Sequence, residues 1–198
     1  MSLAGIILAA GESRRMGSPK PLLEFEGETF LDRLILTLSV VCSPVIAVLG
    51  WESQAIRAGM RRADMARIVI NPDHRRGQLS SLQCGLTEVP AGADGVIFTP
   101  VDHPAVLPST VVRLARAFEE RLPHSRVVVP RYQGQSGHPA CVARELIDEL
   151  LALPPEATAR DVINRHRDQT VFVDVDDPGI VLDIDDPEAY RRLQGSGS

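Results

Sequence analysis

Three cations and three glycines crowd one short stretch near the start of the chain, Leu3 to Lys20, LAGIILAAGESRRMGSPK. Ala9 and Ala10 lead into Gly11, then come Arg14 and Arg15, another glycine at Gly17, and Lys20 behind Pro19. Small residues let a ligand lie against the backbone, so that N–H groups can line a polyphosphate. Arginine and lysine neutralise the charge that builds up during its transfer. A triphosphate suits this loop. Neither common glycine-rich pattern does: Gly11 and Gly17 stand too far apart for G-x-x-x-x-G-K-[ST], and Ser13 interrupts G-x-G-x-x-G. That spacing disfavours a dinucleotide-dependent oxidoreductase. So does Leu49, which is followed by Gly50 and Trp51 rather than by an acidic partner for a ribose.

Further along, Asp102 stands in VDHP just after an apolar run. A strand-end carboxylate is a usual anchor for the hard divalent cation that accompanies a triphosphate. Asp183 and Asp185 in LDIDDPE offer a second carboxylate, and in an extended segment both would point to the same side. Asp186, ahead of Pro187, also reads as a helix cap. His138 lies in SGHP, in a loop small enough to admit a substrate.

Apolar periodicity supplies the elements that must hold these residues. Leu3 to Ala9 reads as a strand buried on both faces, and Pro21 to Glu26 as a short extended piece. Thr29 caps a helix to about Val41, and Pro44 to Leu49 is a second strand. Ser53 to Ala63 reads as a basic amphipathic helix with Arg57, Arg61 and Arg62 on a solvated face, and Ala66 to Asn71 as a strand. A helix begins near Ser80 or Ser81. Asp94 to Thr99 is a strand, Pro108 to Leu122 a helix, and Arg126 to Pro130 and Pro139 to Val142 are strands. Helices are expected over Ala143 to Leu153, Thr158 to Arg167 and Asp186 to Leu193, with strands over Thr170 to Val175 and Gly179 to Ile184. This alternation predicts one α/β domain over residues 1–198, with a mostly parallel sheet and helices on both faces. Ligands bind such sheets beyond the carboxyl ends of the strands, where Ala10, Gly11, Asn71 and Asp102 fall.

Composition sets the bounds. The 198 residues are 44% apolar and 24% charged, which is ordinary for a globular chain. A formal charge of −5 argues against a general nucleic-acid binder, so the local cations serve something smaller. No apolar run approaches membrane-spanning length, and the start lacks a signal-peptide pattern, so a cytoplasmic protein is expected. Cys42, Cys84 and Cys141, far apart and odd in number, read as reduced thiols. The tail from residue 195 to 198 carries no weight.

The first loop fills the nucleotidyltransferase pattern L-A-A-G-x-[SG]-x-R-M-G-x-x-K at Leu8, Ala9, Ala10, Gly11, Ser13, Arg15, Met16, Gly17 and Lys20. Arg75 to Leu86, RRGQLSSLQCGL, resembles the segment by which pyrimidine nucleotidyltransferases grip base and ribose; Gln78 and Ser81 are its candidates. With VDHP, SGHP and DIDDPEAY following in order, the chain resembles the molybdenum cofactor cytidylyltransferase-like branch of the nucleotidyltransferases. The resemblance implies a Rossmann-like three-layer fold and a Mg2+-dependent enzyme. In its reaction an acceptor phosphate attacks the α-phosphate of CTP and pyrophosphate leaves. Leu8 to Gly11 would hold base and ribose, Arg15 and Lys20 the phosphates, Asp102 the Mg2+, and His138 would face a pterin cofactor. Ala10, where guanylyl-transferring relatives carry glycine, favours cytosine. Transient contact with a molybdoenzyme is implied as well.

One stretch departs from the pattern. The late G-D-x-G-A-R motif reads PEATARDV, with Glu156 and Thr158 in place of Asp and Gly, and His103 stands where glutamine is frequent. The departure bears on the pterin more than on nucleotidyl transfer. Another small phosphate or sugar phosphate accepting from CTP or GTP is therefore the alternative, and a non-catalytic nucleotide-binding module a third.

Overall fold

In the computed structural model, which describes residues 1–195, every side chain of the opening strand β1 (Leu3–Ala9) is buried. Its odd and even positions serve different cores: Leu3, Ile7 and Ala9 join one, Ala4, Ile6 and Leu8 the other. A strand that is apolar on both faces belongs inside a sheet covered on both sides, and β1 lies there. A two-stranded ribbon, β2 (Glu24–Phe25) with β3 (Glu28–Thr29), stands apart from the main sheet. Next come α1 (Phe30–Ser39), β4 (Cys42–Leu49), α2 (Ser53–Gly59), β5 (Arg67–Ile70), α3 (Gln78–Leu86) and β6 (Gly95–Pro100). The chain continues through α4 (Pro108–Glu119), β7 (Val127–Tyr132), β8 (Gln135–Ser136) and β9 (Ala140–Ala143). It ends with α5 (Ile147–Leu151), α6 (Ala159–Arg165), β10 (Thr170–Asp174) and α7 (Pro187–Gly195).

The main sheet runs β10-β7-β9-β6-β1-β4-β5, with β8 paired to the edge of β7. It is mostly parallel; β9 is the exception on this path, running against both β6 and β7. Leu31 and Leu34 of α1, Leu114 and Phe118 of α4 and Leu193 of α7 pack on one face of it. Leu82 and Leu86 of α3, Leu150 of α5 and Val162 of α6 pack on the other. These are the expected three layers. From β1 the chain moves outward through β4 to β5, then returns to place β6 on the other side of β1. Strand order reverses there, and such a reversal opens a crevice at the strands' carboxyl ends.

Local signals explain several boundaries. Thr29 Oγ1 accepts the Asp32 N–H at 3.1 Å and so caps α1, as the sequence predicts. Asp186 Oδ1 accepts the N–H groups of Glu188 and Ala189 at the start of α7. Gln83 on α3 donates its side-chain amide toward the carbonyls of Leu150, Leu151 and Leu153, joining α3 to the end of α5.

Other expectations give way to contacts between distant residues. The second helix stops at Gly59, so Arg61 and Arg62 lie beyond it rather than on its solvated face. Their N–H groups donate to the fully buried Asp32 carboxylate, while their guanidiniums pair with Glu24 and Glu28 on the ribbon. Helix α3 starts at Gln78, directly after Gly77 with its φ of +97°, and neither Ser80 nor Ser81 caps it. Ala143 to Leu153 divides into a 3-10 turn, Arg144–Leu146, and the short α5. Gly179 to Ile184 is no strand. The buried Asp177 carboxylate takes up the N–H groups of Leu107 and Gly179 and the Thr110 hydroxyl, bending Pro178–Ile180 into a 3-10 turn against the start of α4.

Asp32 therefore joins the α1 cap to the segment behind α2. Asp32→Ala is expected to destabilise the protein by about 2–4 kcal/mol, because it strands buried N–H donors. A urea melt checks this as a lowered midpoint with an unchanged slope.

Candidate active site

The loop after β1 is shaped by its serine. Ser13 takes a positive φ of 50°, its carbonyl accepts the Met16 N–H at 2.9 Å, and its Oγ accepts the Lys20 N–H at 3.0 Å. Lys20 is thereby fixed at the head of the 3-10 turn Lys20–Leu22, with its side chain pointing back into the crevice, 12% exposed. Its Nζ donates to Asp185 Oδ1 at 2.6 Å and lies 3.5 Å from Asp102 Oδ2. Arg15 reaches to 3.8 Å of Asp185. The hydrogen bond from Lys20 holds the Asp185 carboxyl below the usual carboxylate range. Asp185 is placed by its neighbour, since the Ile184 N–H donates to the Asp102 carbonyl at 2.9 Å.

Those two carboxylates fit a hard cation. Asp102 Oδ1 is buried without a hydrogen-bond partner, leaving an oxygen free to ligate. Among the described residues no group of three or more His, Cys, Asp or Glu is placed to hold a metal ion unaided. Two carboxylates match the protein's usual share of a Mg2+ shell that substrate phosphates complete. Asp183, the third aspartate named from sequence, lines a second cavity together with Asp102, whereas Asp185 lines the first; the turn Pro178–Ile180 and the irregular chain after it, in place of a strand, carry the two.

The first cavity encloses about 410 Å³. Leu8, Ala9, Ala10, Gly11, Arg15, Lys20, Gln78, Ser81, Asp102 and Asp185 all line it, so the nucleotide residues expected from sequence come together. Glu12 lines it too, paired with Arg14 and, at 3.5 Å, with Arg75. Sequence reasoning passed over Glu12, whose one signal is an acid inside a cationic loop. It also left Asn71 without a role. Asn71 is buried behind α3, where its Nδ2 donates to Ser80 at 2.9 Å and to Ser81 at 3.0 Å.

A second cavity of about 1100 Å³ adjoins the first, and Leu8, Gly77, Gln78, Pro100 and Asp102 line both. Asp102 sits at the seam. Phe98, Val129 and Phe172 give the second cavity apolar walls, with His103 and His138 beside them, ring centroids 4.8 Å apart. His138 is carried on a segment pressed against the 178–180 turn, its N–H donating to the Ile180 carbonyl at 2.8 Å. A Cβ on the preceding Gly137 would lie 2.0 Å from that carbonyl oxygen, so only glycine fits. Burial pushes His138 down to about 3, helped by His103 and Arg160; burial lowers His103 as well, against the pull of Asp102. Both rings are neutral at pH 7. The divergent late stretch also belongs here: Thr158 and Asp161 form a capping box that starts α6, and Arg160 lines the cavity with no hydrogen bond or ion pair among the described residues.

Residues 5–170 match the family model of the MobA-like NTP transferase domain. The chain is a member of the MobA-like NTP transferase family. Over 93% of this chain and 92% of the relative, it is 26% identical to the molybdenum cofactor cytidylyltransferase of Escherichia coli. It is 29% identical to the nicotine blue oxidoreductase of Paenarthrobacter nicotinovorans, over 96% of each. Among solved structures, Rv0371c of Mycobacterium tuberculosis superposes with a TM-score of 0.80 at 30% identity, covering 98% of both chains. The same protein in complex with manganese gives 0.77 at 28%, covering 99% of this chain and all of that one. No helix among the described residues is long and apolar enough to cross a membrane.

The neutral, buried His138 has a thermodynamic consequence. From pH 6.5 down to about 3 the unfolded chain binds a proton at this histidine that the folded protein refuses, so stability falls as pH falls through that window. The loss is at most about 1.4 kcal/mol per pH unit from this one group. His138→Gln is expected to flatten the wild-type curve by that amount, read from urea melts between pH 7 and pH 4.

Proposed function

We propose that this nucleotidyltransferase moves CMP from CTP to a phosphate-bearing acceptor held in the second cavity, and that the acceptor is the pterin of the molybdenum cofactor. The observation that carries the reading is Asp102, which lines both cavities and lies 3.5 Å from the Lys20 ammonium. Donor and acceptor would meet at that residue. Cytosine and ribose would lie along Leu8 to Gly11 with Gln78 and Ser81, and the triphosphate would follow Arg15 and Lys20. An oxygen of the acceptor phosphate attacks the α-phosphorus, the bond to the bridging oxygen of the β-phosphate breaks, and pyrophosphate departs along the cationic loop. Arg15 and Lys20 neutralise the charge that spreads over the phosphate oxygens. Asp102 and Asp185 would hold Mg2+, which when bound draws charge from those same oxygens.

Apolar walls and two neutral imidazoles suit a flat heterocycle, and His138 would face it. The Escherichia coli relative's name supports the same acceptor. The second reading, a different small phosphate or sugar phosphate, is favoured by Glu156 and Thr158 in the late motif. A redox reaction, suggested by the nicotine blue relative, would need a hydride carrier in this crevice. A lysine between two aspartates serves phosphate chemistry better.

Pyrophosphate release, measured with CTP, GTP, ATP or UTP, Mg2+, and with or without molybdenum cofactor, tests the proposal. Release is expected only when CTP and the cofactor are both present; release with CTP and a different phosphate moves the site to the second reading. Asp102→Asn is expected to keep the fold and lower turnover by about 100-fold or more, as loss of a charge-positioning group does at such centres.

A further inference from the structure

The buried asparagine behind the nucleotide cavity has a definite polarity. Asn71 Oδ1 accepts the backbone N–H of Asp73 at 2.9 Å, and a backbone N–H can bond only to the oxygen of the amide. The amide orientation is therefore fixed, and Nδ2 must donate both its hydrogens, one to Ser80 Oγ at 2.9 Å and one to Ser81 Oγ at 3.0 Å. The two serines then differ. Ser80 has acceptors for its own hydrogen in the Gly77 carbonyl at 2.8 Å and the Asp73 carbonyl at 3.1 Å. The Ser81 hydroxyl finds no acceptor among the described residues, although the residue is only 4% exposed and lines the first cavity. A buried hydroxyl that already accepts from an amide and has a hydrogen left over calls for an acceptor from a ligand.

We propose that Asn71 sets the base preference of this site, as a positioning residue that holds the Ser81 hydroxyl as a hydrogen-bond donor toward the nucleobase. The inference rests on the reading above that the first cavity holds the nucleotide. A fixed donor selects a base whose facing edge accepts. Cytosine offers ring N3 beside O2, two adjoining acceptors, whereas uracil and guanine carry an N–H at the corresponding ring position. Selectivity for CTP then comes from a residue that never touches it. Its carboxylate analogue would reverse the polarity: it can only accept, so Ser81 would donate inward and turn its lone pairs to the base.

Equilibrium binding of CTP, UTP and GTP by calorimetry, without any acceptor, separates the possibilities. The wild type is expected to favour CTP over UTP by about ten-fold, the value of one buried hydrogen bond made or left unmade. Asn71→Asp is expected to abolish or invert that ratio while Asp73 keeps its acceptor. Asn71→Ala, which frees the hydroxyl to rotate, should bring the ratio toward one, and it serves if the carboxylate does not fold. Ser81→Ala should erase the ratio by itself, and adding Asn71→Asp to it should change nothing more. An unchanged ratio in folded Asn71 variants, or a wild type that binds CTP and UTP equally, overturns the role of Asn71 alone. A wild type that binds no nucleotide removes the cavity assignment and this inference with it.

Discussion

Everything at the crevice depends on one ammonium group set between two carboxylates. Lys20 comes from the loop after the first strand, Asp102 from the end of β6, and Asp185 from the segment before the last helix. No two of these are near each other in sequence, and the bond from Ile184 to the Asp102 carbonyl is what brings the last to the second. A lysine so nearly enclosed would be costly alone, and a pair of aspartates in the same space would repel each other. Together they form a balanced cluster. On the proposed reading, phosphate oxygens would take the place of the carboxylates around Lys20, and a divalent cation the place of Lys20 between them.

The two cavities on either side of this cluster differ in kind. The first cavity is ringed by charge, with Arg14, Arg15, Lys20 and Glu12 on one loop. The other side is walled by Phe98, Val129 and Phe172, and its imidazoles are kept neutral by burial. A polyanion and a flat organic molecule could each find a matching surface, with Asp102 as the common boundary.

Much of this was legible in the sequence, and the limits are physical. The central strand shows itself because burial on both faces leaves a run with no polar positions from Leu3 to Ala9. Thr29 and Asp186 are readable as caps because a cap acts within one turn of its own helix. The loop residues from Leu8 to Lys20 are readable because small residues and cations at close spacing form a pattern confined to one short stretch of chain. What sequence could not show are contacts that reach across the molecule. Asp32 captures Arg61 and Arg62 from 29 and 30 positions away, and Asp177 reaches Leu107 across 70. Each such capture decides where an element ends: α2 at Gly59, and a turn instead of a strand at Pro178–Ile180. Asn71 was legible as a strand-end residue at the crevice, but its partners were not, for the same reason. Nothing local distinguishes an asparagine that orients two serines from one that only ends a strand.

The reversed direction of β9 reaches further than sheet bookkeeping. Because it runs against β6 and β7, its amino end lies at the same edge as their carboxyl ends, and His138 enters the crevice just ahead of that strand. The parallel strands β1 and β6 deliver their ligand-facing residues from the turns that leave them. Two structurally independent sets of loops thus converge on one seam. Insertions or exchanges around residues 133–138 can reshape the second cavity while the loop from Gly11 to Lys20 stays as it is. The wall that carries His138 can therefore vary on this frame without disturbing the ammonium and carboxylates on the far side of the seam.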